Sequence, residues 1–492
     1  MKVKRTLRIA TQSVAFLVCS AYLATTPIVS PLSAQEQAHE ASASAEDSSD
    51  STAEPDSSAV ANEAIDRYLS GDVEGAYQLF ENSYKLNPDS DPPGVLVALL
   101  HSHAGRFAEM RASLEQTAED YPSDPEAYLQ LANVDVQERR LLEAELLLER
   151  ADSLIETYGQ LRPESKARAT YLKEEALTTR AMLAEKRGRY DVAAEFTRKS
   201  IELNPQNPQA FWNLGYLAMK QGDYDAAEEA YQKASELNED LWPGWLQTLS
   251  ALDREDKVSV AKGRVAGYSQ KIEECSAKER AQLARLYLRW SMVEEASAII
   301  KEFDERNEAR ELDRWLLDGL LALYASDYNA AEQAYRKAVL IAPENFEATN
   351  GLALALLDQG NREKLVQALQ IAARNYRANS DNQEAAATYA WALFLSGRTQ
   401  EADAIFQPML SSGMALATIA YYLAEIANLR GDKDLSRDLL SLALSQEANY
   451  PKRTAALELM EILDNPNQEQ EQEQSPLDDF EADPFNEEES EQ

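Results

Sequence analysis

The chain repeats itself, and the step of that repeat limits the folds open to it more than any other feature. One register sets Ala64, Ala98, Ala132, Ala181, Gly215, Leu249, Ala284, Gly319, Ala353, Ala390 and Ala424 at the same point of a recurring unit; ten of these eleven are Ala or Gly. The same steps reach Ala76, Met110, Ala144, Ala193, Ala227, Ala261, Ala296, Ala331, Leu365, Ala402 and Ser436, eight of them Ala. Between the two columns fall Gly71, Gly105, Gly188, Gly222, Gly360, Gly397 and Gly431, seven of the 17 glycines. The steps are 34 residues, except for 49 between the third and fourth units, 35 twice, and 37 between the ninth and tenth. A period of this length belongs to stacked supersecondary units, none of which buries its apolar face alone.

Each column has a physical reason. Small residues let two helices of one unit cross closely, and a glycine just past the first helix adopts the left-handed conformation that ends it. Large residues at Phe80, Leu114, Leu148, Tyr231, Val265, Ile300, Tyr335, Leu369, Phe406 and Leu440 fill the gap to the next unit. Pro88, Pro122, Pro205 and Pro343 stop second helices, because proline lacks a donor and clashes with the preceding turn.

The clearest unit reads Phe211-Trp-Asn-Leu-Gly-Tyr216, then Gly222-Asp-Tyr-Asp-Ala-Ala227, then Tyr231-Gln-Lys-Ala234. A second passes Trp315, Gly319, Asp327-Tyr-Asn-Ala-Ala331, Tyr335-Arg-Lys-Ala338 and Pro343. These segments resemble the tetratricopeptide repeat. The resemblance implies an all-α fold, a right-handed α-solenoid of about eleven helix-turn-helix units. Three units are expected over 57–158 and eight over 174–450, those starting near Leu241 and Ser276 being the most degenerate. Residues 159–173 read as an insertion or hinge between the two arrays, and 451–463 as a capping helix.

The ends read differently. Lys2, Lys4, Arg5 and Arg8 precede an apolar run from Val14 to Ala24 and the small pair Ser33 and Ala34, the pattern of an export signal over 1–34, cleaved near Ala34. The run is shorter than the roughly 20 residues that span a bilayer, so the membrane is a partner only if the signal stays uncleaved. Export places the protein in the periplasm or outside the cell. Cleavage would leave Cys275 as the one cysteine, so packing and not disulfides must hold the fold. Residues 35–56 form an Ala, Ser and acidic linker, and 464–492 a tail with twelve acids and no base; both are too polar to offset ordering entropy.

Charge and motifs narrow the function. A net charge of −37, or −41 once the signal's four bases are gone, repels a phosphate backbone and argues against nucleic acid. The sequence carries no glycine-rich phosphate loop, no paired-cysteine metal spacing and no glycine-framed nucleophilic serine. His101 and His103, two apart on a helix, cannot face one metal. No catalytic residue, metal ligand or cofactor is therefore assigned, and no pair among the 85 acids is singled out.

What remains is a surface for other proteins or peptides. In the tetratricopeptide family the first helices line a concave groove, and the resemblance places Trp212, Tyr216 and Met219, then Leu316, Leu320, Leu323 and Tyr324, then Trp391 and Phe394, on that face. The competing reading is that some of them pack between neighbouring first helices. Arg285 and Arg289, one turn apart, are candidates to receive a carboxylate or an acidic peptide. In the tail, Leu477, Phe480 and Phe485 read as anchors of a short docking motif, as an internal blocker of the Arg285 and Arg289 face, or as part of a purely solubilising segment. The function expected is a non-enzymatic scaffold or adaptor of the periplasm or cell envelope. Two other readings are a component of an envelope secretion machine for polysaccharide export or pilus biogenesis, and an enzyme with its site in 159–173.

Overall fold

The computed structural model describes residues 57–87, 89–161, 166–306, 311–411, 416–446 and 448–465. The expected signal, linker and tail lie outside the described residues, apart from Asp464 and Asn465, and with them Leu477, Phe480, Phe485 and Pro88. The described chain is helical throughout. Helices α1 (Ser57–Leu69) to α10 (Tyr224–Leu237) form five antiparallel pairs: α2 is Val73–Leu86, α3 Pro93–His103, α4 Phe107–Asp120, α5 Glu126–Gln137, α6 Leu141–Leu161, α7 Lys166–Lys186, α8 Tyr190–Leu203 and α9 Pro208–Gln221. The sixth pairs α11 (Gly244–Arg254) with a broken second helix, α12 (Val258–Val265) and α13 (Ser269–Glu274). Five more follow: α14 (Ala277–Arg289) and α15 (Val293–Arg306), α16 (Glu311–Tyr324) and α17 (Tyr328–Ile341), α18 (Phe346–Leu357) and α19 (Arg362–Ala378), α20 (Gln383–Leu395) and α21 (Thr399–Ser411), α22 (Ala417–Leu429) and α23 (Lys433–Leu444). Helix α24 (Arg453–Asp464) lays Ala456, Leu459 and Leu463 against the last pair.

Both small-residue columns are buried along their whole length. The reason is closest at Gly215 and Gly319, where a Cβ would stand 2.6 and 2.7 Å from the rings of Tyr231 and Tyr335. Those rings, 1% exposed, are the gap-filling residues of their own units. Nine of the ten gap-filling residues are buried and Leu369 is half-buried. The turn between helices is equally regular. All seven glycines of the third column have positive φ, and Arg139, Asp256, Ser291 and Ser326 take the same conformation at the same point of the other four units. The next residue often starts the second helix: Asp72, Asp223, Asp327 and Asp432 each accept a hydrogen bond from a backbone N–H in the first turn.

The chain divides into two compact units, one ending at Thr248 and the other beginning at Leu249, inside α11. The division does not fall at 159–173, where a hinge was expected. The extra residues of the 49-residue step instead lengthen α6 and α7 to 21 residues each, and Ile155 and Tyr158 share one core cluster with Leu172 and Ala176. Within the first unit α3 touches α5 and α5 touches α7; within the second, α14, α16, α18, α20 and α22 touch in succession. First helices thus pack on one another as well as on their partners.

Candidate binding face of the first helices

On α9, Trp212 and Tyr216 stand one turn apart with rings stacked at 6.1 Å and 3°, and the Lys220 ammonium lies 5.3 Å from the Tyr216 ring centre. Trp212 also leans on Tyr231 at 5.9 Å, and the Tyr216 hydroxyl donates to Glu185 of α7 at 3.2 Å. Both aromatics keep part of their surface in solvent. Met219 does not: it is 1% exposed, and so is not a groove residue.

In the second unit more of the expected face is closed. Leu316, Leu323, Trp391 and Phe394 are all buried, members of one core cluster. The next first helix closes over this side: Trp391 of α20 stacks on Tyr422 of α22 at 4.9 Å. Leu320 and Tyr324 are half-buried. Arg285 and Arg289 do receive carboxylates, but from their own chain. Arg285 Nε and Nη2 donate to Glu347 at 3.2 and 3.3 Å, and Arg289 Nε to Asp253 at 2.7 Å, where Trp290 Nε1 also donates at 2.9 Å.

A segment that sequence reasoning passed over also occupies this face. Residues 448–452, joining α23 to α24, run across the ends of four first helices. The Ala448 N–H donates to Asp256 at 2.7 Å, the Asn449 N–H to the Arg289 carbonyl at 2.5 Å, and the Tyr324 hydroxyl to the Asn449 carbonyl at 3.2 Å. Lys452 Nζ then pairs with Asp358 at 2.6 Å, both side chains near 10% exposed, and lies 4.9 Å from the Tyr328 ring centre. Burial pushes the Asp358 carboxyl up, and the Lys452 ammonium opposes it. Pro451 and Lys452 were the available signals, but nothing in their spacing says where the segment lies.

Comparison with known proteins agrees with the repeat register. A tetratricopeptide repeat family model matches residues 178–241 and 316–375, which are the fourth and fifth pairs and the eighth and ninth. The chain carries tetratricopeptide repeats. No curated protein matches this tetratricopeptide repeat chain. Among solved structures it is similar to a tetratricopeptide repeat protein from Parabacteroides merdae (17% identity, 60% of this chain and 99% of that one, TM-score 0.31). It is also similar to the type IV pilus biogenesis factor PilW (16%, 45% and 96%, 0.32) and to yeast Tom70 (12%, 84% and 96%, 0.34). TM-scores this low carry no functional argument for this chain.

Proposed function

We propose that this chain is a non-enzymatic scaffold, exported to the periplasm or cell envelope, that holds partner proteins on the first-helix face of its first unit. The observation supporting this reading is the contrast between the units. In the second, the aromatic and arginine candidates are buried or engaged by the chain itself, whereas Trp212 and Tyr216 present a stacked pair with open surface. A half-exposed aromatic pair on a rigid helix is the kind of anchor that dominates protein interfaces.

Two measurements test the reading. The natural protein's amino terminus is expected to begin at or near Gln35; an intact Met1 would refute export. The mature protein passed over an envelope extract is expected to retain a defined partner that Trp212→Ala loses at least tenfold, the order of a hot-spot truncation. Leu146→Ala, on the exposed side of α6, serves as the control. Equal retention by both variants would remove the Trp212 face from the interaction.

A further inference from the structure

Near the first-helix face of the second unit the cations are taken up by the chain's own acids: Arg285 by Glu347, Arg289 by Asp253 and Lys452 by Asp358. Lys337, exposed on α17, departs from that rule. Among the described residues no acid pairs with it; its ammonium lies instead 3.8 Å from the ring centre of Trp315, on α16. The Arg314 guanidinium is 4.8 Å from the same ring and pairs with Asp318 at 3.6 Å.

Trp315 is half-buried. It packs on the core of the second unit and also lines a cleft of about 390 Å³ between α16 and α17. Alanines make the room: Ala322 and Ala325 on α16 and Ala330 and Ala334 on α17 line the cleft with no atom beyond Cβ. The two acids that reach the wall are already occupied, Asp318 by Arg314 and Asp327 by the Ala330 N–H at 3.0 Å. The cleft therefore presents an aromatic surface beside a cation. Its volume, at the small end of the roughly 300–1,000 Å³ of ligand sites, suits one large side chain. The matching ligand is an apolar side chain set among carboxylates.

The chain itself carries that pattern. Phe480 lies among Asp478, Asp479 and Glu481, in a tail of twelve acids and no base. Its reach follows from where the last helix starts. Lys452, just before α24, has its Nζ 3.5 Å from the hydroxyl of Tyr328, and Tyr328 follows Asp327 of the cleft wall. From there α24 runs twelve residues, about 18 Å. The fifteen residues from Asn465 to Phe480 extend to about 50 Å, ample to return over that length. Such a tether presents the anchor at an effective concentration of about a millimolar, so even millimolar intrinsic affinity fills the cleft about half the time.

We propose that the chain's own tail occupies this cleft, with Phe480 against Trp315 and the carboxylates of Asp478, Asp479 and Glu481 around the Lys337 ammonium. The Arg285 and Arg289 face, considered for the tail on sequence grounds, is closed to it because Glu347 and Asp253 hold those arginines. The cleft lies in the second unit, so this contact stands or falls apart from the scaffold reading of the first. A docked tail keeps other acidic segments out, and one of them enters only by displacing it.

The test is zero-length coupling of the full chain with a carbodiimide, which joins a lysine amine to a carboxylate in contact with it, read by mass spectrometry. Lys337 is expected to be joined to Asp478, Asp479 or Glu481 about fivefold or more above Lys262, an exposed lysine of the same unit; a few exposed ion pairs supply that factor. Phe480→Ser keeps every charge of the tail and should bring Lys337 down to the level of Lys262. Joining of Lys337 no greater than that of Lys262 in the parent would overturn the docking. So would a preference that survives Phe480→Ser, since charge alone would then explain it. In an equal mixture of isotope-labelled and unlabelled chains, the two halves of each joined peptide should carry the same label. Mixed pairs would move the occupant to a second copy and overturn the contact within one chain.

Discussion

A left-handed residue ends the first helix of every one of the eleven pairs, seven times as glycine and four times not. A non-glycine residue in that region carries steric strain of roughly 1–2 kcal/mol, because its Cβ crowds the following carbonyl. Part of this is offset by the smaller backbone entropy it has to lose. Ser326→Gly and Ser291→Gly are therefore each expected to stabilise by about 0.5–1 kcal/mol in denaturant unfolding, and a loss of stability would show that the turn is relaxed as it stands. Asp256→Gly should gain nothing, since its carboxylate accepts the Ala448 N–H. The same residues show where the sequence is legible. Seven turns could be read because glycine at a fixed step announces a positive φ. The other four could not, since Arg139, Asp256, Ser291 and Ser326 reach that φ only under the pull of the helices on either side.

Elements repeat this division between what a local pattern determines and what packing decides. Spacing placed Trp391, Phe394, Leu316 and Leu323 on one side of their helices, yet periodicity reports an angle around the axis and not the distance to the next helix. With α22 close enough to stack Tyr422 on Trp391, that side is core. The strap from Ala448 to Lys452 is harder still to read, since its contacts join residues more than 90 positions apart that share no pattern. Its buried ion pair gives a sharp test. Lys452→Ala strands the Asp358 carboxylate at 8% exposure and is expected to destabilise by about 3–5 kcal/mol, whereas Lys452→Met with Asp358→Asn removes both charges and should recover most of that loss. Because burial raises the Asp358 carboxyl, the damage in Lys452→Ala should shrink as pH falls and the orphan protonates. Equal destabilisation of the single and double variants would mean the pair contributes through its packing alone.

At the scale of the molecule, an array in which each repeat touches only its neighbours gains stability as a sum of local terms, so it can fray from its ends. The second unit is built otherwise. Its strap joins the tips of α11, α14, α16 and α18 to the far end of the array, contacts that no nearest-neighbour stack supplies. Losing the last repeat would release all four, which couples the sixth to eleventh pairs into one cooperative block. Asn449→Pro deletes the N–H that meets the Arg289 carbonyl and leaves the helices untouched. In hydrogen exchange, the amides of α22 to α24 in the parent are expected to open together with those of α14 and α16, at one common free energy. In Asn449→Pro the C-terminal helices should exchange first and faster, while the exchange of α3 to α9 in the first unit stays as it was. If α22 to α24 already exchange ahead of α14 in the parent, the strap is a surface contact and the unit frays as an ordinary stack does.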